Sequence, residues 1–371
     1  MKRFHKVVFA GGGHAHLYSL KHAGSLIREG AEITVVGPDR YHYYSGMGPG
    51  LLSGIYTPDD VRVDIQGLVE KGGGRFIRGR VTGIDPHEQK LFTDAGVTVN
   101  YDIASFNLGS HVPTESIQGA ETESLPVKPI DNLAALRQAI LSMAMTSIVR
   151  ILVIGTGPAG VEVAGNIWRT VKESGGKAEI VLAGTEESLL PRLPLKAGLY
   201  AGESLAGRGI AVHTGCLISS LNKGTAHTQD GRNIPYDLCV LAAGTRPNQV
   251  FHGSGIVTAG NGSLVVNSYL HSRSHPNIFG GGDCITLDAM RLDMVGVYAV
   301  RQAPIIFHNI RARIRGESLK EFVPQKKYLQ ILNLGDDNGL LVYNPFVMKG
   351  PWAFRLKGFI DKRFISLFRQ Y

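Results

Sequence analysis

Two short apolar runs, each breaking directly into a cluster of glycines, constrain this chain more than anything else in its 371 residues. The first is His5-Lys6-Val7-Val8-Phe9-Ala10, followed by Gly11-Gly12-Gly13. The second begins at Val149, runs through Ile151-Leu152-Val153-Ile154, and ends in Gly155-Thr156-Gly157-Pro158-Ala159-Gly160. Each is followed by a helix-like stretch and another apolar run, Ala31 to Val36 in one case and Ile180 to Leu182 in the other. Strand, glycine turn, helix, strand is a βαβ unit. Its recurrence 144 residues later predicts an internal duplication of a nucleotide-binding half.

The chemistry behind the glycines is specific. A diphosphate needs a helix N-terminus with bare backbone N–H groups and no Cβ in the way. Gly11 suits the tight turn and Gly13 the close approach, while His16 occupies the third glycine position, so helix and strand must open slightly there. Gly155, Gly157 and Gly160 complete the full pattern, and Glu162 follows. The acidic residue that usually closes the second strand and holds a ribose is missing from both units. Gly37 stands there in the first, with Asp39 two residues on; Ala183 and Gly184 stand there in the second, followed by Glu186 and Glu187. No basic residue lies between Ala183 and Glu187, which favours NADH over NADPH. His14 and His16 form an HxH pair without a third ligand, so packing or cofactor contact is the better reading than metal.

Glycine is in excess, at 47 residues, with the excess in short clusters flanked by apolar runs, and only 19% of residues are charged. This argues for folded domains, two or three by length. The three cysteines, Cys216, Cys239 and Cys284, are far apart and odd in number, which excludes a disulfide framework, a cysteine zinc site and a local redox pair. Free thiols suit a reducing compartment. The N-terminal apolar run is too short for a signal-peptide core, and no run of 18 apolar residues exists to span a bilayer. A cytoplasmic location is therefore expected. Of the formal charge of +8, five units fall in the last 23 residues, six basic residues against Asp361. The basic excess is local, and nucleic-acid binding is not expected.

Further landmarks keep a fixed order: Tyr101-Asp102 leading to Asn107-Leu108-Gly109-Ser110, Tyr236-Asp237 leading to Ala242-Ala243-Gly244-Thr245-Arg246-Pro247-Asn248, then Ile278-Phe279-Gly280-Gly281-Gly282-Asp283-Cys284. With the two turns, this set resembles the two-dinucleotide-binding flavoproteins of the pyridine nucleotide-disulfide oxidoreductase superfamily over essentially the whole chain. Tyr44-Ser45-Gly46-Met47-Gly48-Pro49-Gly50, Val127-Lys128-Pro129, the segment Gly296 to Gln302 and the basic tail resemble its type II NADH dehydrogenase and sulfide:quinone oxidoreductase branch. The greatest similarity is to the NADH-dehydrogenase-like module sometimes fused to selenide, water dikinase.

The resemblance implies an α/β fold with two Rossmann-like domains. An FAD-binding domain would be split between 1–125 and 253–325, with an NAD(P)H-binding domain at 126–252 inserted in it and a C-terminal segment at 326–371. It implies FAD contacts at Gly11, Gly13, His14, Ala15, Gly109 and Asp283, with Asp283 on the ribityl chain and the helix start near Val300 against the flavin ring. NAD(P)H would lie on Gly155, Gly157, Gly160 and Glu162. Glu162 would steer the nicotinamide amide, with a simple helix-start charge as the alternative; Lys128 would stabilise an anionic flavin, with a solvated lysine as the alternative. The implied activity is an NAD(P)H dehydrogenase passing hydride to FAD and electrons to a quinone. The alternatives are a sulfide:quinone oxidoreductase-like enzyme and a non-turnover redox sensor or scaffold.

Departures bear on the subtype. No cysteine pair stands beside the flavin position, and none of the three cysteines is placed to carry polysulfur. Gln302 matches one quinone-site glutamine, whereas Tyr298 replaces another. In the tail, Trp352, Leu356, Phe359, Ile360, Phe364, Leu367 and Phe368 recur at helical spacing among Lys349, Arg355, Lys357, Lys362, Arg363 and Arg369. Such a helix would lie in a membrane interface, on the inner face of the cell membrane, or would dock on the protein's own core or a homodimer partner.

Overall fold

The computed structural model describes residues 4–369 except 289 and 291. In the first unit, strand β1 (His5–Ala10) runs through the glycine turn into helix α1 (His14–Lys21), and β2 (Ala31–Gly37), β3 (Arg75–Arg78) and β4 (Ile103–Phe106) complete its strands. Helix α2 (Asn132–Ala144) leads into β5 (Ile148–Ile154), helix α3 (Pro158–Ser174), β6 (Lys177–Ala183), β7 (Ala211–His213) and β8 (Leu238–Leu241). The chain then returns through β9 (Ile278–Gly280) and helix α5 (Gly296–Arg315), the helix Leu195–Ala206 between β6 and β7 counting as α4. It ends in the hairpin strands β10 (Gln330–Asn333), β11 (Gly339–Tyr343) and β12 (Phe346–Gly350), and helix α6 (Pro351–Ser366).

Both expected βαβ units form parallel five-stranded sheets. The first has the order β9-β4-β1-β2-β3. The second runs from the short strand Leu125–Pro126 through β8, β5 and β6 to β7. In each sheet the strand carrying the glycine turn is central, so both its faces are covered by helices and its residues are apolar without alternation. Val7, Val8, Phe9 and Ala10 are accordingly buried. The pairing of Ile278 with Ala104 brings the chain back to the first sheet after the second is complete. That return delivers Gly282 and Asp283 to the open end of β1.

Each sheet has its own hydrophobic core. Antiparallel β10-β11-β12 packs on α3 and carries α6, whose other contacts reach the first unit. Among the described residues, no helix is long and apolar enough to cross a membrane.

Candidate functional site

The first glycine turn is shaped by contact with β4. Gly11 has φ +87°, and a Cβ there would lie 2.3 Å from the Asn107 carbonyl oxygen. A Cβ on Gly13 would lie 2.2 Å from Asn107 Oδ1. That oxygen accepts the Ala15 N–H at 3.1 Å, and Asn107 Nδ2 donates to the Gly281 carbonyl at 2.6 Å. One asparagine therefore ties the turn to the Gly280–Gly282 segment. Among the described residues, the N–H groups of Gly12, Gly13 and His14 take no protein acceptor, which leaves three donors at a helix start, the donor set a pyrophosphate requires.

His16, in place of the third glycine, does not open a gap. It is fully buried, with Nδ1 donating to the Gly11 carbonyl at 2.6 Å and Nε2 accepting from Ser105 Oγ at 2.8 Å. Burial lowers its pKa to about 4, against the pull of the Gly11 carbonyl, so the ring is neutral. The loosening expected at this position is instead filled by an imidazole with both nitrogens satisfied.

Above the turn lies a cleft of about 750 Å³, within the range of small-molecule sites, ~300–1,000 Å³. Gly11, Gly13, His14, Gly109, Lys128 and Asp283 all line it. Ala15 sits just beneath, fully buried. From α5 the wall is Gly296 and Ala299, with Val300 adjacent and outside the lining. Asp39 lines the cleft where Gly37 carries no carboxylate; a side chain on Gly37 would press on the Phe76 ring at 3.3 Å.

Asp283 Oδ2 accepts from Ser110 Oγ at 2.6 Å and from Lys128 Nζ at 3.1 Å, and Lys128 also donates to Ser110 Oγ at 2.8 Å. Lys128 is thus a cleft residue bound to a carboxylate. Gln302, 1% exposed, accepts the Gly282 N–H at 2.7 Å and so supports the same segment. Tyr298 donates to the Gln325 carbonyl at 3.3 Å.

The second turn follows the same logic. Gly155 has φ +125°, its Cβ position 2.6 Å from the Ala242 carbonyl oxygen, and a Cβ on Gly160 would lie 1.7 Å from Gly155 O. Gly157 differs: nothing lies within 4 Å of its Cβ position. Its missing side chain leaves open space at the start of α3, where a second diphosphate would sit.

Glu162 reaches toward the C-terminal segment. Its Oε1 accepts the Asn333 N–H at 2.7 Å, and burial raises its pKa to about 7 against the pull of Lys357. Lys357 is not an exposed cation of an interfacial helix, as its place in the tail suggested. Its Nζ donates to Asp361 Oδ2 at 2.8 Å and to the Gly46 carbonyl at 2.6 Å, and Tyr44 donates to Asp361 Oδ1 at 3.2 Å. Burial raises the Asp361 pKa, opposed by Lys357, and raises that of Tyr44. Burial works against the Lys357 ammonium, but Asp361 and Glu162 outweigh it and hold its pKa above the usual value. Tyr44 and Asn107 fall in segments that carry the family resemblance, whereas Asp361 and His42 carry no motif of their own; only the fold brings the four to this region.

All three thiols are buried. Burial pushes Cys239 and Cys284 up to about 12 and raises Cys216, so none is poised as a thiolate. Among the described residues, no group of three His, Cys, Asp or Glu could hold a metal ion.

A family model described as pyridine nucleotide-disulphide oxidoreductase matches residues 5–303. A type II NADH:quinone oxidoreductase of Staphylococcus aureus (strain MSSA476) is 25% identical over 385 residues, covering 96% of this chain and 94% of the relative. The fold resembles the sulfide:quinone oxidoreductase of Aquifex aeolicus, with TM-score 0.81, 18% identity, and coverage of 98% of this chain and 91% of that one. It equally resembles NDH2 of Plasmodium falciparum, solved in complex with NADH, with TM-score 0.81, 16% identity and 98% coverage of both chains.

Proposed function

The chain belongs to the pyridine nucleotide-disulphide oxidoreductase family, and on that footing we propose that it is an FAD-dependent NADH dehydrogenase that passes electrons to a quinone. The observation that carries this reading is the joining of three features in one fold: the free turn amides beside Asn107, the Lys128–Asp283–Ser110 set in the same cleft, and a second bare turn at Gly157. FAD would lie along the cleft, its pyrophosphate on the first turn and its ribityl hydroxyls against Asp283. NADH would lie on the second turn, and the whole-length similarity to type II NADH:quinone oxidoreductases supports the donor and the acceptor. When bound, the flavin supplies the change from hydride to single-electron chemistry.

The chain's own residues then orient and shield. Lys128 keeps a cation beside Asp283, so that a negative charge developing on a ring nearby meets a fixed positive one. Glu162 anchors the start of α3 to β10 through Asn333. The buried, protonated thiols count against sulfur chemistry. Phe346, Met348, Trp352, Phe359 and Leu367 are exposed on β12 and on α6 and its continuation, near the exposed cations Arg355, Lys362 and Arg363. This supports attachment to an anionic membrane surface, where a quinone would be found.

Anaerobic stopped-flow mixing of FAD-loaded protein with NADH, NADPH or sulfide tests the reading. Bleaching near ~450 nm by NADH, followed by reoxidation with a soluble quinone, is expected from flavin chemistry. Bleaching by sulfide alone, or by no donor, would overturn it.

A further inference from the structure

The wall of the cleft contains a feature that the dehydrogenase reading leaves unused. His14, the first residue of α1, and His42 both line the cleft, and His42 Nε2 lies 3.1 Å from His14 Nδ1. The rings meet edge to face, with centroids 4.7 Å apart. Phe364 of α6 stacks on His14 at 5.9 Å, and Tyr44 packs against it at 5.3 Å. His14 Nε2 is sealed from solvent and has no hydrogen-bond partner.

Those facts determine where the protons sit. Burial and the nearby Lys128 ammonium keep His14 neutral, its pKa lowered to about 4, and burial keeps that of His42 low as well. Two neutral rings joined by one hydrogen bond have two arrangements. If His42 donates from Nε2, His14 must carry its proton on Nε2, an N–H sealed without an acceptor. If His14 donates from Nδ1, its Nε2 is a bare ring nitrogen among aromatic side chains, and the His42 proton moves to Nδ1. Orphaned buried N–H groups are the rarer case in proteins, and stranding a donor shifts such an equilibrium by about tenfold or more. The second arrangement is therefore favoured.

We propose that His14 fixes the tautomer of His42, so that His42 presents a neutral Nδ1–H donor to an acceptor atom of the dinucleotide in the cleft, and that Phe364 keeps this arrangement dry. The proposal rests on the reading of the cleft as an FAD site. Its ligand chemistry is a hydrogen-bond acceptor, a phosphate oxygen or a ring carbonyl, held without a formal charge. His14 is then a positioning residue and His42 a binding residue. The C-terminal helix contributes to cofactor affinity without touching the cofactor.

Nitrogen-15 NMR of histidine-labelled protein at pH 7, with and without FAD, reads the tautomers directly; His14→Phe and His42→Asn identify the two signals. Both residues are expected neutral with the proton on Nδ1. Fluorescence titration of the FAD-free protein with FAD supplies the second readout. His42→Phe should raise the dissociation constant about tenfold or more, the loss of one hydrogen bond to a charged or strongly polar acceptor. His42→Asn, which keeps an N–H at the same position, should stay within about threefold of the parent on the same reasoning. Phe364→Ala should fall between them. A proton on His42 Nε2, a cationic ring, or parent-like FAD affinity in His42→Phe would overturn the proposal. If His42→Phe does not fold, the tautomer measurement on the parent still decides. Failure of the parent chain to bind FAD would refute the cofactor reading, while the NMR of the FAD-free protein reports on the histidine pair independently.

Discussion

Glu162→Gln offers a sharp test of the buried charges that join α3 to the C-terminal helix. The Glu162 carboxyl has a pKa of about 7 in the folded chain against an ordinary 4.5, chiefly because burial penalises its charged form. Between those two pH values the folded chain keeps a proton that the unfolded chain has released. Stability therefore falls as pH rises through this window and levels off above it. Each pH unit of the interval is worth about 1.36 kcal/mol, so ionised Glu162 costs about 3 kcal/mol at pH 8. Glutamine keeps the oxygen that accepts the Asn333 N–H and has no proton to lose. The attraction to Lys357 is already contained in that pKa, so the gain at pH 8 stays about 3 kcal/mol. At about 2 °C per kcal/mol for a chain of this size, Glu162→Gln should melt about 6 °C above the parent at pH 8. At pH 5, just above the unfolded carboxyl's 4.5, the difference should shrink to about 1 kcal/mol, or about 2 °C. Differential scanning calorimetry at pH 5, 6.5 and 8 and one scan rate measures this. A melting difference that does not change with pH would refute the reasoning.

Four further outcomes follow from the same geometry. Lys357→Met leaves Asp361 buried with only Tyr44 as partner, and should cost about 3–5 kcal/mol by thermal unfolding; the double variant with Asp361→Asn should recover most of the loss. Gly157→Ala meets no protein atom within 4 Å and should melt like the parent while losing NADH affinity in calorimetric titration. Gly160→Ala, whose Cβ would strike Gly155 O, should instead lower the melting temperature by several degrees, the cost of overpacking being about 1–3 kcal/mol or more. Replacing Phe346 and Phe359, 67% and 63% exposed, with Asp should abolish co-sedimentation with anionic vesicles at unchanged thermal stability, and retained binding would place the membrane contact elsewhere.

The two parallel sheets were legible because each glycine turn is a local steric requirement: backbone passes within van der Waals distance of backbone at Gly11 and Gly155, and the sequence must record it. The Gly282-Asp283 turn was legible through the family resemblance; Gly282 has φ +72°, and a Cβ there would strike the Asn107 side chain rather than backbone. What the sequence did not reveal depends on contacts between distant segments. Asn107 was legible only as the first residue of the landmark ending at Ser110, and its role in tying the turn exists because β4 lies beside both β1 and β9. His16 breaks the glycine rule, and the compensation lies in Ser105, 89 positions away. In α6 the apolar spacing identified a helix with two unlike faces but not which face was turned inward. Ala353, Lys357, Asp361 and Ile365 recur every four residues on the docked side, so the inner face holds a buried ion pair while Trp352 and Phe359 stay outside. Periodicity counts polar residues as outward, and an ion pair with hydrogen bonds to Gly46 and Tyr44 defeats that rule.

This inversion joins the cofactor cleft and the exposed apolar surface in one rigid element. The docked side of α6 holds Tyr44 through Asp361 and covers His14 with Phe364, and His14 faces the cleft. Its outer side carries Phe359 with Lys362 and Arg363. A helix fixed in this way cannot tilt to follow a membrane surface without breaking the hydrogen bonds from Lys357 to the Gly46 carbonyl and from Tyr44 to Asp361 and lifting Phe364 off His14, and each buried partner left unpaired costs about 1–3 kcal/mol. Were the proposed attachment to use this surface, it would therefore be rigid-body docking of the folded protein, with the cleft held in a fixed orientation to the bilayer. A flexible tail tethering a loosely oriented domain would leave the outer residues free but would also expose Lys357 and Asp361. The structure places both of those side chains inside.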